Sequence, residues 1–439
     1  MTDSDVARFQ KATEAYEAGR YADAQDALHD LARLYPSDAD VQAAEGMLLV
    51  ESGNIDAGLP FLAQAHRLNP RSDAVAANLG LAYLKTGKAS EAIAPLQMAC
   101  RLAPRSFVDR VALAEALFSS HHYAEAAATY SKAAALPHKT EEMPSAELHS
   151  QWALALMSAG DPSEATRVLR SDPSLEQNAS LQEMLGEAEE KSGHFENALK
   201  AFKRAAELDP TESNIGAYGE ELLRHWTFSA ASEIYQYGVS RYPASERMKI
   251  GLGTAHFGNN DFTAAAAIFE DLLQHHPDDA GIADMLGRSC SAEAAGESLS
   301  CDGLIEFAQN HPGNAYAGLY AGIALMTRPK AEGRENDAEV LLQSAIKADP
   351  KLADAWYQLG RLQQSRGDWN GSIGSLQRAI ALRPAYPQAH YRLARAYARN
   401  GRREDSQQEI ALQQKYAQEA KDADNQRMKD VITFITNSH

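Results

Sequence analysis

The sequence predicts an all-α protein built from a long series of antiparallel helix pairs stacked into a solenoid. Prolines recur about every 34 residues, small residues recur at one position of each repeat, and apolar residues follow helical spacing between them. Pro36, Pro70 and Pro104 lie 34 residues apart, and Pro350 and Pro384 show the same spacing. Each proline follows an apolar-periodic segment, where it ends the helix and sets the turn into the next repeat.

This period divides the chain into twelve repeats, which begin at residues 5, 39, 73, 107, 146, 179, 212, 246, 280, 315, 353 and 387. The eighth position of every repeat is glycine or alanine, as in Gly46, Gly80 and Gly360. Two helices approach closely only where one of the facing side chains is small, so this position predicts the contact within each helix pair.

The repeats resemble the tetratricopeptide repeat, whose pattern is W-x2-L-G-x2-Y, then A-x3-F, then P. The matching residues are Leu79, Gly80, Tyr83, Ala92, Leu96 and Pro104 in repeat 3, Leu185, Gly186, Ala198, Phe202 and Pro210 in repeat 6, and Trp356, Leu359, Gly360, Ser372, Leu376 and Pro384 in repeat 11. The resemblance covers residues 5–420 and implies a right-handed superhelical solenoid whose first helices line a concave, peptide-binding face. Members of this family share architecture rather than one chemistry.

The regularity of the repeats predicts five segments along the chain. Repeats 1–4 (residues 5–145) are regular, repeats 5–8 (146–279) and 11–12 (353–420) keep the pattern, and repeats 9–10 (280–352) are the least regular. Residues 421–439 follow the last repeat. Their apolar spacing predicts a helix that caps the end of the solenoid, and the alternative is that this tail occupies the groove.

Composition and charge narrow the class of partner. The chain has 439 residues and a formal net charge of −18, which argues against nucleic acid and against an anionic membrane surface as partners. No run approaches the ~20 apolar residues of a membrane span. We therefore expect a cytoplasmic monomer or weak homo-oligomer, and a periplasmic or exported protein is the alternative if a signal peptide has been removed.

The first candidate surface is apolar. The resemblance implies that positions 2, 5, 9 and 12 of each repeat face the groove, and in repeats 2–4 these positions are mostly apolar. An exposed apolar stripe usually marks an interaction site, whereas tight superhelical curvature would bury it between neighbouring repeats; both explanations remain open. The predicted peptide-binding residues are Met47, Val50, Asn78, Leu81, Leu84, Val111 and Phe118.

The second candidate surface is basic and aromatic. Guanidinium groups pair bidentately with carboxylates and tyrosines supply flat contact area, so this surface would hold an acidic segment or a C-terminal carboxylate. The alternative is a solvated face whose arginines pair with local Glu and Asp side chains. The predicted residues, in repeats 11 and 12, are Tyr357, Arg361, Tyr391, Arg395 and Arg399, with Arg392 beside them.

The cysteines and histidines predict no metal site and no cofactor. Cys290 and Cys301 flank the irregular turn of repeat 9 and would form a disulfide in an exported protein, although two independent thiols are the favoured interpretation. The histidine pairs at 121–122 and 275–276 are adjacent in sequence, and neighbours on a helix do not face the same way.

The sequence therefore predicts a non-enzymatic adaptor that binds a peptide segment of another protein. It contains no GxSxG, P-loop, HExxH or paired CxxC motif. One alternative is a structural spacer that binds through its outer face, for which an apolar patch on the second helices would be the signal. The other is an enzyme or sensor with a site in the irregular repeats 9–10, for which converging titratable groups around Arg288, Asp302 and Glu306 would be the signal.

Overall fold

A computed structural model describes residues 1–137, 143, 145–292, 301–327 and 334–437, with backbone only for 424–437. Within these ranges the protein is all-α: it has twenty-four α-helices, one short 3-10 helix at Leu175–Gln177 and no β-strand. The chain separates into two compact units, here called the N-terminal module (Met1–Asn214) and the C-terminal module (Ile215–His439).

In the N-terminal module, consecutive helices pair as the first and second helix of each repeat, and each pair packs on the next. These helices are α1 (Asp3–Glu17), α2 (Tyr21–Leu34), α3 (Ala39–Glu51), α4 (Ile55–Leu68), α5 (Asp73–Lys85), α6 (Ala89–Leu102), α7 (Phe107–Ser119), α8 (Tyr123–Ala134), α9 (Ser145–Ser158), α10 (Pro162–Arg170), α11 (Ala179–Lys191) and α12 (Phe195–Leu208).

The C-terminal module continues the same pairing, and the boundary between the modules falls in the first turn of α13. Its helices are α13 (Glu212–Arg224), α14 (Phe228–Arg241), α15 (Glu246–Gly258), α16 (Phe262–His275), α17 (Ala280–Ser291), α18 (Asp302–Asn310), α19 (Ala315–Thr327), α20 (Glu335–Ala348), α21 (Ala353–Ser365), α22 (Trp369–Leu382), α23 (Pro387–Arg399) and α24 (Arg403–Asn437). All twelve first helices begin within two residues of the predicted repeat starts.

Local signals fix where the first helices begin and end. The Ser72 hydroxyl accepts a hydrogen bond from the Val75 backbone N–H at the start of α5, and Ser106 does the same at α7. Such caps satisfy N–H groups that have no partner inside the helix. The turn to the second helix needs a left-handed residue, and Gly53 and Gly87 supply it with φ values of 90° and 72°.

The glycine at position 8 brings the two helices of a repeat into contact. Six of the eight glycines at this position lie against the side chain sixteen residues later on the second helix, and a Cβ on Gly80 would lie 2.4 Å from Leu96 Cγ. The predicted close approach is therefore present, and a larger residue would force the helices apart. The contacting pairs are Gly46–Leu62, Gly80–Leu96, Gly186–Phe202, Gly219–Tyr235, Gly253–Phe269 and Gly360–Leu376.

Tyr235 shows how little room this contact leaves. Its ring, 1% exposed, lies between Gly219 on the first helix of its own repeat and Gly251 on the first helix of the next. A Cβ on either glycine would come within 2.5 Å of a ring atom. Burial raises the pKa of Tyr235. The ring cannot move away from one glycine without approaching the other.

Repeat 5 ends early, as the Ser-Asp-Pro sequence after α10 predicts. The Asp172 side chain is fully buried there; one oxygen lies 2.7 Å from His149 Nδ1, and the other accepts from the Ser174 backbone N–H at 2.8 Å. Burial opposes the ionised form, yet the hydrogen bonds from Ser174 and His149 outweigh it and hold the pKa of Asp172 below its ordinary value. This carboxylate replaces the missing helical turn as the contact between α9 and the chain that follows α10.

Repeat 9 departs most from the pattern. Its second helix, α18, has 9 residues where α16 has 14, and Gly287 at position 8 contacts Tyr320 of the next repeat. Cys290 and Cys301 are joined by a disulfide and are 5% and 1% exposed. The structure thus differs from the favoured interpretation of two independent thiols. The disulfide supplies the link between first and second helix that position 8 makes elsewhere.

The chain after repeat 12 continues as helix. α24 runs without interruption from Arg403 to Asn437, so no turn separates the second helix of repeat 12 from residues 421–437. The side chains of residues 424–437, and residues 438 and 439, lie outside the described part of the chain. The capping role of this segment therefore stays a prediction.

Gly219→Ala should destabilise the C-terminal module by about 1–3 kcal/mol, because the added methyl group overpacks the fixed Tyr235 ring. The measurement is the thermal unfolding midpoint of the full chain by circular dichroism. Gly374→Ala is the matched control, since nothing lies within 4 Å of a Cβ there and alanine favours a helix. A midpoint for Gly219→Ala equal to that of Gly374→Ala would contradict this packing.

Reduction of the protein should release two thiols and lower the unfolding midpoint by roughly 5–10 °C, because the disulfide limits the freedom of the unfolded chain. Alkylation in denaturant followed by mass spectrometry should find one modified cysteine, Cys100, before reduction and three afterwards. Three reactive thiols in protein purified under non-reducing conditions would show that Cys290 and Cys301 are not bonded.

Candidate functional site

The predicted basic residues lie on the neighbouring first helices α21 and α23 of the C-terminal module. Tyr391, Arg395 and Arg399 are exposed, and Tyr357 and Arg361 are half-buried. Tyr391 has 52% of its surface exposed, which is high for a large aromatic side chain. The structure therefore brings these five residues onto two helices that touch, with their polar groups accessible.

Neutral groups surround the guanidinium groups of this surface. Arg361 Nη1 donates to Gln358 Oε1 at 2.9 Å. Arg395 lies 6.0 Å from the ring centre of Tyr391, and Arg399 lies 5.6 Å from that of Trp369 at the start of α22. These cation–π contacts orient the guanidinium groups without neutralising them.

Sequence analysis left Arg392 outside the main prediction, but the structure places it at the junction of α21 and α23. Its Nε donates to the Tyr357 hydroxyl at 3.2 Å and its Nη1 to Gln364 Oε1 at 3.4 Å. The Gln364 amide donates back to the Arg392 carbonyl oxygen at 2.8 Å. Trp369 was also missed, because it belongs to a second helix. We call Tyr357, Arg361, Trp369, Tyr391, Arg392, Arg395 and Arg399 the arginine surface.

Other arginines nearby are neutralised. Arg383 pairs with Asp354 at 2.7 Å, and the same carboxylate accepts from the Tyr386 hydroxyl at 2.7 Å. The hydrogen bond to Asp354 raises the pKa of Arg383, while burial together with that carboxylate raises the pKa of Tyr386. Arg402 pairs with Asp405 at 2.6 Å. Among described residues, no ion pair joins Arg361, Arg392, Arg395 or Arg399 to a carboxylate.

The apolar stripe of the N-terminal module lies on the first helices α3, α5 and α7. Val50 is 9% exposed and packs in a cluster with Leu59, Leu62 and Leu79, so the predicted alternative of burial applies to it. Val108, at groove position 2 of repeat 4, is by contrast 50% exposed. The remaining members are half-buried: Met47, Asn78, Leu81, Leu84, Val111 and Phe118.

Contacts within the stripe connect adjacent repeats. Asn78 Nδ2 lies 2.7 Å from Met47 Sδ across α3 and α5. Leu81, Leu84 and Val111 pack against the core cluster around α6–α12. Part of this surface therefore closes the core of the module, and only its outer edge is available to a partner.

The residues proposed for the enzyme or sensor alternative do not all converge. Asp302 and Glu306 line an open cleft of about 500 Å³ with Asp337 and Arg334. Arg288 is not part of that lining and pairs with Asp284 at 2.7 Å on its own helix. Arg334 lies 3.8 Å from Asp302. The described lining combines carboxylates with one arginine, and it contains no histidine, cysteine or serine that would act as a nucleophile or general base.

Models of the tetratricopeptide repeat match residues 43–107, 179–212 and 219–281, and a further model described as a TPR repeat matches residues 364–401. These matches lie in both modules, and the last of them spans α22 and α23. The chain is a tetratricopeptide repeat protein. Repeats of this kind support a protein-interaction scaffold, and the family is generally non-enzymatic.

Several solved structures are similar to this chain. Naa15/Naa10 bound to HypK-THB shares 17% identity, with a TM-score of 0.43 and coverage of 93% of this chain and 68% of that one. The C-terminal part of a TPR repeat-containing protein from Cytophaga hutchinsonii shares 14%, with a TM-score of 0.46 and coverage of 56% and 99%. MamA shares 20%, with a TM-score of 0.34 and coverage of 39% and 97%.

These identities and TM-scores carry no information about the partner of this chain. No curated protein sequence matches it significantly. Among the described helices, none is both long and apolar enough to cross a membrane.

Proposed function

We propose that the protein is a scaffold that binds a peptide segment of a partner protein along its first helices. The observation that carries this proposal is the arginine surface, where exposed tyrosine and arginine side chains stand on neighbouring first helices without a described carboxylate partner. Tyrosine and arginine are the residues most enriched at the centres of protein interfaces.

The apolar stripe of the N-terminal module supports a second contact with a partner, which would also lie on first helices. Val108 exposes half of its surface one helical turn from half-buried Val111, so a partner could cover this edge without unfolding the repeats. Apolar contact would supply affinity there, and the arginines of the C-terminal module would orient the segment bound to that module.

One observation favours the structural-spacer alternative. Leu34, Leu68 and Leu102 occupy the same repeat position at the ends of α2, α4 and α6 and are 63%, 37% and 39% exposed. This row of leucines lies on second helices, where the spacer hypothesis expects an apolar patch. It therefore serves as the comparison surface in the experiments below.

Arg395→Glu combined with Arg399→Glu should remove an acidic partner, because like charges would then face each other across the interface. The measurement is affinity purification of the tagged full chain followed by quantitative mass spectrometry. We expect at least a tenfold loss of the specific partner, with the unfolding midpoint unchanged. Unchanged recovery of every partner would contradict the assignment of this surface.

Val108→Asp should weaken the second contact, because it places a charge on the exposed edge of the apolar stripe. The matched variant replaces the three exposed leucines of the second helices with glutamine and should leave partner recovery unchanged. The opposite result, in which the leucine variant loses the partner and Val108→Asp retains it, would favour the spacer function.

A further inference from the structure

Charge is distributed unevenly along this acidic chain. Residues 351–403 contain ten lysines and arginines against two aspartates, a net charge of +8, whereas the whole chain carries −18. Residues 251–350 of the same module contain fifteen acidic and five basic side chains. The positive region therefore lies within the last two repeats and follows an acidic stretch of the same module.

Both aspartates within residues 351–403 already have partners. Asp354 accepts from Arg383 and from Tyr386. Asp368 accepts from the Gly371 backbone N–H at 2.9 Å and so caps α22. Arg366, which faces the preceding repeat, is paired with Glu335 and Glu339. Both aspartates of this region are thus committed to other partners, so a carboxylate that binds the arginine surface would come from outside residues 351–403.

We propose that the arginine surface binds an acidic segment inside the chain of another protein, through the side-chain carboxylates of that segment, and that Arg392 is its anchor. This inference rests on the proposed scaffold function and names the chemistry of its partner. Guanidinium groups bind carboxylates bidentately, and the rings of Tyr391 and Trp369 give the segment a flat apolar contact.

Arg392 is the anchor because it is oriented before any ligand arrives. Tyr357 and Gln364 each accept one of its N–H groups, and Gln364 is only 8% exposed, so the guanidinium is held by a buried amide. Arg392 is half-buried, and no described carboxylate pairs with it. A side chain that is already fixed loses less conformational entropy on binding.

The size of the surface favours a short acidic peptide over nucleic acid. Arg392, Arg395 and Arg399 span about 10 Å along α23, at 1.5 Å per residue. DNA carries one charge per ~1.7 Å of its axis and would extend beyond these repeats onto the acidic ones. A peptide with a few glutamates meets only the positive region.

The test uses the full chain and two twelve-residue peptides that are acetylated and amidated. One has glutamate at alternate positions and the other has glutamine at the same positions. Isothermal titration calorimetry should show the glutamate peptide binding at least tenfold more tightly than the glutamine peptide, and the difference should shrink as salt is raised from 50 to 500 mM because the interaction is electrostatic.

Three variants locate the contact. Arg392→Gln should weaken binding of the glutamate peptide at least fivefold, since a charge-assisted hydrogen bond is lost. Gln358→Glu should weaken it as well, because the new carboxylate would neutralise Arg361 while leaving every arginine in place. Arg378→Gln is the matched control: it removes the same charge from the exposed face of α22 and should change affinity less than twofold.

Equal affinity for the two peptides, or equal effects of Arg392→Gln and Arg378→Gln, would overturn the proposal. So would tighter binding of a single-stranded oligonucleotide or an anionic vesicle than of the glutamate peptide, or a requirement for a free peptide C-terminus. Any of these outcomes could occur while the Arg395→Glu, Arg399→Glu double variant still loses the cellular partner. In that case the scaffold function stands, and only the proposal that the partner segment is acidic fails.

Discussion

The close contact between the two helices of each repeat is the constraint on which the rest of the structure depends. A glycine or alanine on the first helix lets a large side chain sixteen residues later lie against the backbone, as Leu96 does at Gly80. Because this contact recurs at one position in the regular repeats, the first helices of those repeats are held in the same rotation about their axes. Residues 34 apart, such as Arg361 and Arg395, therefore occupy equivalent places on α21 and α23.

The repeat boundaries could be predicted because their signals are local. Helix caps, left-handed glycines and prolines act on the backbone within a few residues of where they stand, and every first helix begins within two residues of its expected start. Repeat 9 could not be predicted in the same way. There Gly287 contacts Tyr320 of the following repeat, and the disulfide joins α17 to the start of α18. Both contacts depend on how neighbouring helices pack, which a pattern within one repeat does not contain.

Counting repeat positions predicts which residues share a helix face, but it does not predict their burial or their partners. Val50 and Val108 both belong to the stripe predicted for repeats 2–4, yet one closes a core cluster and the other is half exposed. Arg392 lies one position away from the predicted groove positions and reaches Tyr357 of the preceding repeat only because its side chain is long. The chemistry of the surface is set by such contacts between repeats.

The residues that touch these arginines explain why their charge persists. Gln358 and Gln364 accept hydrogen bonds from Arg361 and Arg392, and glutamate has the same shape as glutamine. The chain has 60 acidic residues, so glutamate is common elsewhere in it. A glutamate at position 358 would form an ion pair with Arg361 and reduce repulsion among the neighbouring arginines, whereas Gln364 also donates to the Arg392 carbonyl oxygen, which a glutamate could not do. Glutamine orients each guanidinium and leaves its charge available. A hydrogen bond from arginine to glutamine stabilises the folded protein no more than an ion pair would. It leaves the arginine charge unneutralised, so that a partner's carboxylates can pair with it.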